Sequence, residues 1–194
     1  MSGVASVCVY CGAASGIGED YKRAAHALGS AIADRDWQLV YGGGRVGLMG
    51  IVADAALSRG GSVIGIIPSH IQRREVEHLG LSELHVVDSM HTRKRMMVER
   101  ADAFVVLPGG LGTLDETFEI LTWKQLGLHA KPIIIVDIGG YWRPLLAAID
   151  HAQSQGFLQP GYHALFSVVE QIEDVFAVLE RQPAPPRLAD ISRL

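Results

Sequence analysis

The sequence predicts an α/β protein: a Rossmann-like, doubly wound, mostly parallel sheet of six to seven strands with helices on both faces. Short apolar runs rich in β-branched residues alternate with helix-period segments along the chain. Glycine turns follow the first, second and fifth of these runs, and each leads into a helical segment. The 194 residues, 48% hydrophobic and 20% charged, suit one domain with a full core.

Residues 4–10 read as the first strand, and Gly12-Ala13-Ala14-Ser15-Gly16 turns the chain toward a helix over 20–35. A second strand over 37–41 passes through Gly42-Gly43-Gly44-Arg45-Val46-Gly47 into a helix over 47–59. Strands over 62–67 and 84–87 follow, then a helix over 89–100 with Ser89 as its N-cap. The fifth strand, 103–107, leads through Pro108–Gly112 into a helix over 113–126. Strand 132–136, helix 144–154, an edge strand over 165–169 and helix 171–181 complete the pattern. Residues 1–181 read as a single Rossmann-like domain, and 182–194, with Pro183, Pro185 and Pro186, read as an extended tail.

The net charge of −4 argues against nucleic-acid and membrane-surface partners. No apolar run approaches the roughly 18 residues of a membrane span, and Met1 to Val7 lacks the features of a secretory signal, so a cytoplasmic protein is expected. Cys8 and Cys11 form C-x-x-C, but Cys8 falls inside a strand and no second pair completes a zinc site; both read as buried, reduced thiols. The eight histidines lack ligand spacing, so no metal is expected. No G-x-x-x-x-G-K-[ST] is present, and the glycines at 42–47 lack the full dinucleotide register, which disfavours a P-loop ATPase and bound NAD.

The most informative stretch is Pro108-Gly109-Gly110-Leu111-Gly112-Thr113-Leu114-Asp115-Glu116. Glycines let the backbone approach a ligand closely. The first amides of the following helix lack intrahelical partners and, with the helix dipole, form a phosphate site. Glu116 opposes that phosphate unless something lies between them, and the sugar of a nucleotide fills the gap. In open sheets the strand-to-helix turns share one rim, so all three glycine turns are expected to converge on one ligand.

The second constellation is Ser89-Met90-His91-Thr92-Arg93-Lys94-Arg95-Met96-Met97. Three consecutive cations occupy the helix end where positive charge is unfavourable, which points to an anion nearby. Met90, Arg93, Lys94 and Met97 share one helix face, with Met97 the better candidate for core packing.

Met90-x-x-Arg93-Lys94 followed by Pro108-Gly109-Gly110-x-Gly112-Thr113-x-x-Glu116 resembles the paired signature of the Lonely Guy (LOG) family, and Tyr41-Gly42-Gly43-Gly44 leading to Gly47-Leu48-Met49-Gly50 is similar to that family too. The resemblance runs to about residue 180. It implies a homodimeric phosphoribohydrolase without cofactor, acting on purine nucleoside 5′-monophosphates and releasing free base and ribose 5-phosphate. It also implies Arg93 and Glu116 as catalytic residues, with Lys94 nearby; the glycine turns and helix spacing add Ser15, Gly43, Gly44, Met90, Gly109, Gly110, Leu111, Gly112, Thr113 and, one turn beyond Glu116, Glu119 as residues expected about the substrate. Ala13 and Ala14 depart from the serines of many relatives, leaving Ser15 as the expected hydroxyl.

A carboxylate near the anomeric carbon suits the oxocarbenium-like state of glycosidic cleavage. Arg93 would position Glu116 or the substrate and hold that carboxylate charged. The alternative is a non-catalytic nucleotide or molybdenum-cofactor carrier, which gains nothing from such an acid. A pyridoxal-dependent decarboxylase, the older label of this family, would need one of Lys22, Lys94, Lys124 or Lys131 at the cofactor.

Overall fold

The computed structural model describes residues 3–72 and 77–181; the tail expected over 182–194 lies outside them. In chain order the elements are β1 (Ser6–Tyr10), α1 (Glu19–Ala33), β2 (Gln38–Tyr41), α2 (Gly47–Ser58), β3 (Val63–Pro68), β4 (Glu83–Val87), α3 (Met90–Arg100), β5 (Ala103–Val106), α4 (Leu111–Gln125), β6 (Ile133–Val136), α5 (Arg143–Ser154), β7 (Ser167–Val169) and α6 (Ile172–Arg181). Every strand pairing is parallel, in the order β4-β3-β2-β1-β5-β6-β7.

The central strands are buried on both faces, so their alternating side chains fill two cores. Val7, Val9, Val105 and Ile134 point toward α1, α2 and α6, where they join Leu28, Val52 and Phe176. Cys8, Tyr10, Phe104 and Ile135 point the other way and join Met97, Val98 and Ile120 of α3 and α4. Helices α1 and α2 touch closely because Gly29 lacks a side chain: a Cβ there would stand 2.2 Å from the Val52 carbonyl oxygen.

Strand order reverses at β1. The chain steps outward from β1 to β4, and α3 then carries it back to β5 on the other side of β1. Ligands of open α/β sheets bind at such a reversal, beyond the carboxyl ends of the strands. There the loops after β1 and β5 join: the Leu107 amide donates to the Tyr10 carbonyl at 2.9 Å, and the Gly12 amide to the Pro108 carbonyl at 3.0 Å. Only glycine fits at the crossing, since a Cβ on Gly109 would stand 2.1 Å from Thr113 Oγ1 and 2.9 Å from the Gly12 nitrogen.

Candidate active site

A cavity of about 590 Å³ opens at this crevice. Gly12, Gly109, Gly110, Gly112 and Thr113 form one wall. Ile17, Tyr21, Leu48, Met49 and Met90 contribute apolar surface, and Arg93 and Glu116 bring the charge.

The glycine wall is the start of α4. This helix begins at Leu111, earlier than the expected Thr113, with Gly110 as an extended N-cap that supplies no side-chain hydrogen bond. The Gly110 carbonyl accepts the Leu114 amide, the first intrahelical bond. The amides before it lack intrahelical acceptors and sit at the positive end of the helix dipole. Glu116, half-buried, therefore lies in the second turn. It stands about 4.5–7.5 Å farther along the axis than the amides of residues 111–113, by the rise per residue. That offset separates an anion site from a carboxylate by about a sugar.

Arg93 enters from the opposite side. Ser89 caps α3, its Oγ accepting the Thr92 amide at 3.1 Å, which sets the helix register. Arg93 is 4% exposed. Its Nε donates to the Ile66 carbonyl at 3.1 Å and its Nη2 to the Gly42 carbonyl at 3.0 Å, so the guanidinium is fixed against the ends of β2 and β3. The charges of Glu116 and Arg93 reach the same thiol: burial chiefly raises the Cys8 pKa, Glu116 raises it further and Arg93 lowers it. Cys11, on the cavity wall, is pushed well above the ordinary thiol value by burial and then by Glu116. Both cysteines are free and buried.

The two cations that follow Arg93 are answered by neighbouring acids. Lys94 Nζ donates to Glu119 Oε1 at 2.9 Å and to Asp115 Oδ2 at 3.2 Å. Burial opposes the Lys94 charge, but its bonds and attraction to Glu119 and Asp115 win, leaving its pKa above the ordinary lysine value. Arg95 Nε lies 3.7 Å from Glu99 Oε1, one helical turn on.

Of the residues expected about the substrate, Met90, Arg93, Gly109, Gly110, Gly112, Thr113 and Glu116 converge on the cavity. Ser15, Gly43, Gly44, Lys94, Leu111 and Glu119 are not among its lining residues. Ser15 is exposed, as is Leu111 at the outer start of α4. Gly43 has φ +78° and backs onto β3, where a Cβ would stand 3.2 Å from the Ile66 nitrogen; Gly44 pairs with Glu77 in an isolated bridge. Lys94 and Glu119 are turned toward each other. Gly42, Gly43 and Gly44 therefore pack the rim, while the end of the same turn joins the first: the Leu48 amide donates to the Gly12 carbonyl at 2.9 Å, and a Cβ on Gly47 would stand 2.6 Å from the Ala13 carbonyl carbon. Ile17, Tyr21, Leu48, Met49 and Tyr141 line the cavity without having been singled out as site residues. Their apolar character reads as core; only Tyr141, after the glycine pair that follows β6, carried a positional signal.

Among the described residues no three His, Cys, Asp or Glu side chains converge to hold a metal, and no helix is long and apolar enough to cross a membrane. None of the lysines lines the cavity. Lys22 pairs with Glu19 on the surface, Lys94 with the acids of α4, and Lys131 is buried, donating at 2.6 Å to the carbonyls of Val98 and Ala101. Lys124, the last of the four, is half-buried near the end of α4. A pyridoxal aldehyde needs a lysine amine within reach, so these residues do not fit that cofactor.

Fold and site together define an α/β protein with a mononucleotide-sized cavity at the sheet reversal, walled by a helix N-terminus and faced by an acid and a guanidinium. The family model described as "Possible lysine decarboxylase" matches residues 49–179. The chain is 50% identical over 175 residues to a cytokinin riboside 5′-monophosphate phosphoribohydrolase of Rhodococcoides fascians, covering 90% of this chain and 88% of that one. It is 42% identical over 175 residues to an Arabidopsis thaliana protein of the same name, covering 87% and 82%. The molybdenum cofactor binding protein of Rippkaea orientalis superposes with a TM-score of 0.68 at 23% identity, over 90% of this chain and 94% of that one, a likeness of fold alone. The chain belongs to the Lonely Guy (LOG) family.

Proposed function

We propose that this protein hydrolyses the N-glycosidic bond of N6-substituted adenosine 5′-monophosphates, releasing the free base and ribose 5-phosphate. The observation that carries this reading is the convergence of Arg93, Glu116 and the Gly109–Thr113 turn on one cavity. The phosphate binds the first amides of α4, where backbone donors and the helix dipole favour an anion. The ribose then spans the offset to Glu116, whose carboxylate stabilises the positive charge developing on the sugar and takes a proton from the attacking water. Arg93, held by the Ile66 and Gly42 carbonyls, orients that end of the site. Ile17, Leu48, Met49 and Ile71 offer the base an apolar wall suited to an alkyl substituent on N6.

The curated relatives carry the name of this activity. A carrier of nucleotide or molybdenum cofactor has no use for a carboxylate one sugar away from its phosphate site. The reading includes a cytoplasmic homodimer; exposed Leu111 and Phe118 lie on one outer face of α4 beside the cavity and supply apolar surface for a second copy.

The test is incubation with AMP, N6-isopentenyl-AMP and the two corresponding nucleosides, with freed base measured by chromatography. Base should be released from the monophosphates, fastest from the N6-substituted one, and not from the nucleosides. Absence of base from every monophosphate would overturn the reading.

A further inference from the structure

The Tyr141 hydroxyl donates to the Gly109 carbonyl at 2.6 Å. Tyr141 comes from the turn after β6 and is itself a lining residue. Its position is held from several directions. Gly139 and Gly140 precede it with φ of +61° and +78°, and the next amide, of Trp142, donates to buried Asp137 Oδ1 at 2.6 Å. The ring meets Tyr21 edge-on at 5.7 Å and Trp142 at 4.8 Å.

The acceptor of this bond lies in a peptide held by packing at one end only. Gly109 is wedged against Gly12 and Thr113, but a Cβ on Gly110 would meet nothing within 4 Å. With glycine on both sides, no side chain of its own bars the peptide from turning about its flanking bonds. In a planar trans peptide the C=O and N–H point in opposite directions. One orientation therefore turns an amide donor toward an anion beside the turn, and the other turns a carbonyl oxygen toward it.

We infer that Tyr141 is a positioning residue whose hydroxyl locks the Gly109–Gly110 peptide with its N–H, and not its C=O, directed at the ester phosphate. The inference rests on the proposed phosphate site and deepens it. It assigns the phosphate requirement of the enzyme partly to a side chain that need not touch the phosphate.

The experiment compares wild type with Tyr141→Phe, which keeps the ring and its edge contacts. Titration calorimetry measures ribose 5-phosphate and adenine separately, and steady-state kinetics measures AMP. Losing one hydrogen bond to the turn should weaken ribose 5-phosphate roughly three- to tenfold and raise KM for AMP by a similar factor. The kcat should stay within about twofold, because uniform binding is lost and not transition-state stabilisation. Adenine affinity should be unchanged. Equal ribose 5-phosphate affinity in both proteins, or parallel losses for both ligands, overturns the inference. Base release by wild type is scored independently, so failure of the proposed reaction is told apart from failure of the Tyr141 lock.

Discussion

Arg93 Nη2 lies 3.0 Å from the Gly42 carbonyl oxygen, and a Cβ placed on Gly42 would stand 2.1 Å from that same nitrogen. The guanidinium thus rests on bare backbone at the end of β2, which ties the first glycine of the Gly42-Gly43-Gly44 run to α3. Gly42→Ala is expected to push Arg93 off the carbonyls of residues 42 and 66. Overpacking of this kind costs about 1–3 kcal/mol, and an ångström-scale misplacement near the chemistry lowers turnover by roughly 10²-fold. Thermal unfolding and the rate of base release check both numbers. A variant with wild-type turnover would show that the placement of Arg93 is irrelevant to the reaction.

Lys94 faces Glu119 and Asp115, so its substitution should register as stability and not as substrate affinity. For Lys94→Met, loss of these partly exposed pairs is expected to lower stability by about 1 kcal/mol, with KM for the monophosphate within about twofold of wild type. A rise in KM of tenfold or more (about 1.4 kcal/mol in binding) would return Lys94 to the substrate. The pH behaviour has a definite sign. The folded pKa is raised, so the stabilisation is fully present below the ordinary lysine value and disappears as pH climbs through the folded one.

His129 makes a testable acid-side contribution. Its Nε2 contacts the Ile120 carbonyl at 2.8 Å and its Nδ1 accepts the Lys131 amide at 3.2 Å, the bonding of a neutral ring with the proton on Nε2. Burial chiefly pushes its pKa down to about 4 from 6.5. Between those values the unfolded chain binds the extra proton. Stability is therefore whole above the unfolded pKa and falls as pH drops toward the folded one, by at most about 3 kcal/mol. His129→Gln removes the titration, so its melting temperature should fall less steeply than wild type below pH 6.5. Parallel curves for the two proteins would contradict this.

The sheet and its helices were legible in the sequence because periodicity and glycine turns report directly on local structure. Val7, Val9 and the β5 residues Phe104 and Val105 fall where the apolar runs placed them. The order of the strands was not legible, and with it the contact of Gly12 with Gly109 that makes the crevice. Arg93 and Lys94 stand out because cations are unfavourable at the helix start that carries them, and Glu116 because a carboxylate beside a phosphate turn needs a group between the two. Glu119 reads toward the ligand from its place one turn beyond Glu116. The mutual pairing of Lys94 and Glu119 depends on how α3 crosses α4, which one-dimensional spacing does not contain. Gly43 illustrates a different gap: a glycine needed for close backbone approach looks the same in sequence whether the neighbour is a phosphate or β3.

The most direct test of the account is Glu116→Gln, an isosteric change that removes the carboxylate charge while leaving the turn at 109–113 intact. With N6-isopentenyl-AMP, calorimetry should give a Kd within about threefold of wild type, while kcat for base release falls by about 10²–10⁴-fold. Wild-type turnover in this variant, or loss of nucleotide binding equal to the loss of rate, would contradict the assignment of Glu116 to the glycosidic bond.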